Sequence, residues 1–249
     1  PDICFVLDWS ATNNFSSKDN CVTKKDMSLK DYDNSLVWYW DMETLTADWK
    51  LKDLSGNGND WTFSWGMNYS AASTGWIISK GLSFSNSWYS IVVDDDWTWS
   101  SLDITKNMTI EAIFLDNSIH SCIFLSKWLW PNYNYKLDLY IAWNYEFIIG
   151  MDWEQRIARS MDKYKAWNFI HMVWVYDWEN LSVYENWIKK WTLKYIWNPN
   201  NNNMPLILWR YLWDKEYSLN WVLDEIKIYN RAASDLEIRQ RAKSLWFKQ

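Results

Sequence analysis

The sequence predicts an all-β protein: a sandwich of two antiparallel sheets with one short helix near the C-terminal end. Three observations carry this expectation. From Ser35 onward, short runs of β-branched and aromatic residues follow one another at strand length. Clusters of Asp, Asn and Ser separate them, as turns require. No helical period alternates with these runs, which argues against a parallel sheet. The 249 residues can hold one large β domain or two small ones, and an apolar fraction of 49% is enough to fill an interior.

Residues 1–34 read as a polar leader rich in Ser, Lys, Asp and Asn, and residues 35–249 as the domain itself. Strands are expected at Leu36–Met42, Gly81–Phe84, Tyr89–Val93, Met108–Leu115, Ile123–Lys127 and Lys136–Ala142. They continue at Glu146–Met151, Phe169–Tyr176, Leu181–Glu185, Ile188–Leu193, Leu206–Trp209 and Val222–Tyr229. Asn200–Asn203 is a polar loop whose exit Pro205 stiffens. Ser234-Asp235-Leu236-Glu237 is a capping-box pattern, a serine followed three residues later by a glutamate. It leads into a helix through Ile238–Lys243.

Twenty-four tryptophans stand against six glycines, where an average chain of this length carries about 17 glycines. Eight tryptophans directly follow Asp or Asn: Trp9, Trp49, Trp61, Trp97, Trp153, Trp178, Trp187 and Trp221. Asn-Gly and Asp-Gly are strong turn dipeptides because glycine takes positive φ without a Cβ clash. In Tyr184-Glu185-Asn186-Trp187-Ile188-Lys189, a two-residue turn places Trp in the glycine slot. The hypothesis is that most of these tryptophans stand where the natural chain has glycine, as a UGA codon read as Gly by the source organism and translated as Trp would produce. Trp40, inside an aromatic strand, is the one expected to be genuine. The hypothesis further requires Trp178 and Trp187 to project into solvent from left-handed backbone. Mass spectrometry of the natural protein tests it, because finding Trp at these positions would end it.

Composition also bears on function. The net charge is −6 and the basic residues are scattered, which argues against nucleic acid as a partner. The longest apolar runs, such as Cys122–Leu125, fall far short of a membrane span. No secretory signal is visible, and the chain opens at Pro1-Asp2 as a processed or trimmed chain does. Of three cysteines, Cys4 and Cys21 bracket a polar segment with little to bury and are expected to form a local disulfide, which implies an oxidising compartment. Cys122 reads as a small buried hydrophobe. The thiols have no close ligand spacing, and His120 and His171 are the only histidines, so zinc is not expected. Period-two alternation puts Val222, Asp224, Ile226 and Ile228 on one strand face, so Asp224 falls on the apolar side. Phe169, His171, Val173 and Val175 share a face likewise, which makes His171 a structural core histidine.

The blocks Ser35–Glu43, Asp53–Trp61 and Lys80–Phe84, then Met108–Ala112, Phe169–Trp178 and Leu181–Trp187, and finally Asn220–Arg231 with Ser234–Ile238, resemble a LamG-like domain in order. That is the laminin-G-type branch of the concanavalin A-like lectin/glucanase superfamily, and the resemblance covers about residues 35–240. It implies a jelly-roll sandwich, and it is strong for fold and weak for activity. Reading Trp as Gly at 38, 61, 174, 178, 187 and 221 improves every match. The leader is similar to the stretch preceding such domains in pilin-like bacterial surface proteins. Ile113, where the family carries Trp, is a departure.

Candidate sites follow. In the loop Asp53–Asp60, Gly56 and Gly58 permit tight folding while Asp53, Asn57 and Asp60 supply oxygens; the implied topology brings the last strand near, so Asp224 could join. Such a set, at about six to eight oxygens, suits a structural Ca²⁺; the alternative is that Asp53 and Asp224 accept hydrogen bonds from turn N–H groups. Asn132, Tyr133, Asn134 and Tyr135, with Tyr140, Asn144 and Tyr145 beyond them, form an aromatic and amide stretch. It fits a carbohydrate platform or, alternatively, tyrosines packing on a sandwich edge. Glycoside hydrolysis needs two carboxylates about 5–9.5 Å apart across a cleft. Asp94-Asp95-Asp96 reads instead as a solvated turn, the superfamily's Glu-x-Asp-x-x-Glu spacing is missing, and Glu111 stands alone. The expectation is a non-catalytic recognition or adhesion module of an exported or cell-surface bacterial protein, binding a glycan or a protein partner through rim loops. A glycoside hydrolase and a structural domain of a pilus-like assembly are the alternatives.

Overall fold

Two antiparallel sheets enclose one apolar core in the computed structural model. It describes residues 33–63, 68–69, 73–74, 80–84, 91–93, 101–116, 122–129, 132–140, 144–151, 154–159, 169–196, 204–208 and 221–246. One sheet has eight strands. From its edge run β13 (Ile188–Lys194), β12 (Asn180–Glu185), β11 (Phe169–Tyr176), β6 (Met108–Asp116) and β15 (Trp221–Tyr229). On the far side of β15 lie β4 (Gly81–Ser83) and β3 (Ser73–Thr74), and β1 (Leu36–Trp40) pairs with the other half of β15. The second sheet has seven strands. Its order is β10 (Glu154–Arg159), β9 (Asn144–Met151), β8 (Asn132–Tyr140), β7 (Cys122–Leu129), β14 (Leu206–Leu208), β5 (Ile91–Val93) and β2 (Thr62–Phe63). The helix α1 (Asp235–Trp246) follows β15. The protein is an all-β jelly-roll sandwich with a short C-terminal helix. The short edge strands β2 and β3 and the polar strand β10 are the additions to the expected set.

β15 is the strand around which the first sheet is organised. Val222 and Leu223 pair with β4, whereas Ile226 to Tyr229 pair with β1, so two short strands share its flank end to end. The whole length of β15 pairs with β6 on the other side, with a bulge between Asp224 and Lys227. Glu225 takes φ 52° at that bulge. The extra residue shifts the alternation by one. Leu223, Ile226 and Ile228 all enter the core, so Asp224 faces the other side, and the simple two-residue period that grouped it with Ile226 and Ile228 is corrected. Gly81 lets β4 approach: an added Cβ would lie 2.7 Å from Val222 Cγ1 and 2.9 Å from the Leu223 carbonyl oxygen.

The tryptophans divide by backbone. Trp49, Trp178 and Trp187 take φ 64°, 76° and 65°, and they are 68%, 38% and 38% exposed. Asn186 at φ 47° and Trp187 together form the two-residue hairpin turn between β12 and β13 that ordinarily selects Asn-Gly. At these three positions the left-handed, solvent-facing expectation is met. It is not met at Trp38, Trp61 and Trp174, which the family resemblance placed in glycine slots: all three rings fill the interior. Trp38 meets Trp40 edge-on at 4.8 Å, Trp40 stacks on Trp61 at 4.5 Å, and Trp174 packs on Phe124 at 5.6 Å. Trp38 and Trp40 donate their indole N–H groups to Ser101 Oγ and the Asn59 carbonyl, both at 3.1 Å. Among the described residues the buried indole nitrogens of Trp61 and Trp174 have no acceptor, a burden of about 1–3 kcal/mol each. Trp221 opens β15 as a strand residue. Trp9, Trp97 and Trp153, the proposed Cys4–Cys21 disulfide and the run Asp94–Asp96 lie outside the described residues.

The helix covers the outer face of the eight-stranded sheet. Ser234 Oγ accepts the Glu237 N–H at 3.3 Å, as the capping pattern predicts. Ala233 and Ile238 pack on Val173, Val175 and Tyr184. Beneath lies a polar layer. His171 is buried, as expected, but on this outer face, with Nε2 2.8 Å from Glu111 Oε1. Arg241 Nη1 donates to Glu111 Oε2 at 2.9 Å, so Glu111 does not stand alone. Glu237 pairs with both Arg231 and Arg241, and Arg231 reaches Asp33 at 2.6 Å. Burial pushes the Glu111 carboxyl up, but the His171 hydrogen bond and the charges of His171 and Arg241 outweigh it and hold it well below the usual carboxylate range.

Two outcomes are expected. Trp187→Gly should raise stability by about 1 kcal/mol, since a bulky residue in left-handed backbone carries roughly that strain, whereas Trp40→Gly should lose about 3 kcal/mol or more; urea midpoints measure both. Because the folded Glu111 carboxyl is depressed, its contribution is present above the unfolded value of about 4.3 and fades as pH falls below it. Glu111→Gln should therefore cost about 3 kcal/mol at neutral pH, and its melting temperature should fall less steeply than the native one on acidification below about pH 4.3.

Candidate functional site

The loop predicted to bind metal is a hydrogen-bonded scaffold. Asp53 is buried. Its Oδ1 accepts the N–H groups of Tyr39 at 3.1 Å and Ser55 at 2.9 Å; its Oδ2 accepts Ser55 Oγ at 2.8 Å and the Asn59 N–H at 3.0 Å. Asp60 Oδ1 accepts the Asp53 N–H at 2.8 Å. Asn57 turns its amide nitrogen, not its oxygen, toward the Val37 carbonyl at 2.7 Å. Gly56 and Gly58, at φ 81° and 82°, make the tight path possible. Asp53, Asn57 and Asp60 thus share one hydrogen-bonded loop, in which both Asp53 oxygens and Asp60 Oδ1 receive N–H or O–H donors and Asn57 donates its amide. Asp224 sits on β15 opposite Ile113 of β6. Among the described residues no group of three or more His, Cys, Asp or Glu is placed to hold a metal ion. At Asp53 and Asp60 the hydrogen bonds are those of the turn alternative, with backbone N–H groups donating to the carboxylates.

The scaffold carries a turn and a cleft on the rim. Leu51 bridges to Leu45 on one side and Trp61 on the other. Between Leu45 and Leu51 the chain makes a tight hairpin turn. The Trp49 N–H donates to the Thr46 carbonyl at 3.1 Å, and the Thr46 N–H to the Lys50 carbonyl at 2.8 Å. A type I turn followed by one left-handed residue is the three-residue hairpin loop that favours glycine at its last position, and Trp49 occupies it. Asp48 Oδ1 accepts Thr46 Oγ1 at 2.6 Å, and its Oδ2 lies 3.1 Å from Lys50 Nζ.

This turn forms one wall of a cleft of about 510 Å³, with Asp48, Trp49 and Lys50 facing it. Thr62 and Phe63 of β2, with Asn68 and Tyr69, form the other. The Phe63 and Tyr69 rings lie 6.4 Å apart at 55°. Burial raises the Tyr69 phenol, and the nearby carboxylates of Glu43 and Asp41 add to the rise. The hydroxyl is thus a neutral donor and acceptor beside aromatic faces, an arrangement that can stack a sugar ring and bond its hydroxyls. The sequence reading missed this cleft. Its one available signal was the Asp48-Trp49 turn lying close in sequence to Phe63 and the pair Asn68-Tyr69.

The predicted aromatic platform divides between faces. Tyr135 is fully buried in the core, where its hydroxyl donates to the Leu102 carbonyl at 3.4 Å. Its place in the expected platform is therefore corrected: alternation along β8 points it inward. Asn134 is fully buried on the opposite face, and the side chains of Asn132 and Tyr133 lie outside the described residues. Glu111 and His171 are sealed under α1, away from the cleft. No described helix is long and apolar enough to cross a membrane. Since the Asp53 loop is closed by its own donors, a chelator should leave the melting temperature unchanged within about 1 °C, whereas Asp53→Ala should cost about 3 kcal/mol through the donors it orphans; calorimetry distinguishes the two.

No family model matches the sequence, and no curated protein matches it. Solved structures do. The binding domain of a Paraclostridial mosquitocidal protein superposes with a TM-score of 0.68 at 19% identity, over 85% of this chain and 52% of that one. Domain 4 of AbnA, a GH43 extracellular arabinanase from Geobacillus stearothermophilus, in complex with arabinotriose, gives 0.65 at 17% identity, over 84% of this chain and 98% of that one. The receptor-binding domain of botulinum neurotoxin C/D mosaic serotype gives 0.67 at 12%, over 85% and 51%. The chain spans about half the length of the toxin domains and nearly all of the arabinanase domain. What it shares with them at these identities is the fold.

Proposed function

We propose that the protein is a non-catalytic, LamG-like recognition module of an extracellular protein, and that it binds carbohydrate in the rim cleft. The observation that carries the reading is the cleft itself. Two aromatic side chains, Phe63 and Tyr69, with Thr62 and Asn68 beside them, face Asp48 and Lys50 across a space of ligand size. The hydrogen-bonded scaffold behind it supports a fixed geometry, which limits the ordering that binding requires. The likeness to binding domains of toxins and to an arabinanase domain crystallised with arabinotriose supports the same direction. So does the burial of Glu111 and His171, which keeps the best acid–base pair among the described residues away from the cleft.

A glycan array followed by calorimetry tests the proposal. Tyr69→Ala is expected to weaken a binding glycan about tenfold, equivalent to ~1.4 kcal/mol, with the melting temperature held within a few degrees. Leu236→Ala, on the exposed side of α1, should change nothing. Binding that survives Tyr69→Ala and Phe63→Ala together would remove the cleft from the account.

A further inference from the structure

We propose that the rim cleft takes a neutral saccharide and discriminates against sugars bearing a carboxylate; this rests on the reading of the cleft as a glycan site. The electrostatics of its walls carry the step. Lys50 is the one cation among the described residues lining the cleft, and its ammonium lies 3.1 Å from Asp48. The turn fixes both partners. Thr46 Oγ1 donates to Asp48 and accepts the Lys50 N–H at 2.9 Å, and the Thr46 N–H binds the Lys50 carbonyl. To reach the ammonium, an incoming carboxylate must compete with an anion already held in place. Asp48 and Lys50 are thus the only charged residues among the described lining and are paired with each other, on a chain whose net charge is −6. An acidic sugar at this wall finds no unpaired cation and meets the Asp48 carboxylate, and that difference disfavours it against a neutral sugar.

A neutral sugar meets no such conflict. Its apolar faces can lie against Phe63 and Tyr69, and adjacent hydroxyls can donate to the paired Asp48 oxygens and bond to Asn68 and Thr62. Asp48 supports this role because its hydrogen bonds from Thr46 and Lys50 hold its carboxyl below the ordinary value, so it stays an acceptor.

The test is a titration with matched glycan pairs that differ in acidic groups: lactose against 3′-sialyllactose, and galactotriose against trigalacturonate. Each is titrated into the native chain and into Asp48→Asn. The neutral members are expected to bind at least tenfold more tightly than the acidic ones. Asp48→Asn, which releases Lys50, should narrow that ratio at least threefold. Raising salt should narrow it in the native chain as well, a readout that needs no variant. Equal or tighter binding of the acidic members, or a ratio unmoved by both Asp48→Asn and salt, overturns this inference and leaves the glycan reading intact. Failure of every neutral and acidic glycan to bind removes the glycan reading, and this inference with it.

Discussion

The buried carboxylate of Asp53 is the constraint on which the functional end of the molecule depends. It accepts four hydrogen bonds from three stretches of chain: β1 at Tyr39, the loop at Ser55 and its exit at Asn59. A carboxylate removed from water needs this many donors, and meeting that need fixes the path of the loop. The consequences run in two directions. Inward, the Asn59 carbonyl accepts the Trp40 indole N–H, and Trp61 is set down on the Trp40 ring. Outward, Leu51 is held between Leu45 and Trp61, so the turn at 46–50 and the strand β2 meet across the cleft. The same side chain thus anchors the aromatic end of the core and aligns the walls of the site.

A second polar assembly works on the other side of the eight-stranded sheet. Glu111, His171, Arg241, Glu237, Arg231 and Asp33 join β6 and β11 to the helix and to the chain just before β1. Thr109 closes the connection, donating to the Arg231 carbonyl and accepting the Ala233 N–H. The bulge in β15 makes the layer possible. By shifting the alternation, it sends Ile226 and Ile228 into the core and leaves Lys227 and Glu225 paired at 2.6 Å on the outer face, with Lys227 Nζ 4.6 Å from the centre of the Tyr39 ring. Removal of one member leaves an uncompensated buried charge, which is why such layers fix one arrangement of a helix on a sheet.

The long strands were legible because β-branched and aromatic residues run through them at strand length, both faces being buried. Phe169–Tyr176 and Met108–Leu115 read directly as strands from β-branched and aromatic alternation, and the helix read from Ser234 and Glu237. Three strands were not legible for physical reasons: Thr62–Phe63 and Ser73–Thr74 are two residues long, and Glu154–Arg159 is a polar edge strand carrying two arginines. The position of Asp224 was misread because a bulge is a backbone event that leaves no mark in the apolar pattern. Tyr135 was misread because a tyrosine in a strand serves a core or a platform equally well until its face is known. Asp-Trp and Asn-Trp marked left-handed turns at 49, 178 and 187, where the backbone needs what glycine supplies. The same dipeptide rule failed at Trp61, whose ring lies in the core.

Amide hydrogen exchange on Asp53→Ala tests the central role of Asp53 most directly, read residue by residue by NMR beside the native chain. The account predicts that protection falls at Tyr39, Ser55 and Asn59, that it also falls at the Leu51 and Trp61 amides, which bond each other across the loop, and that Phe63 and Tyr69 shift while the amides of β8 and β11 keep theirs. Unchanged protection at Leu51 and Trp61, with the cleft resonances in place, would contradict it.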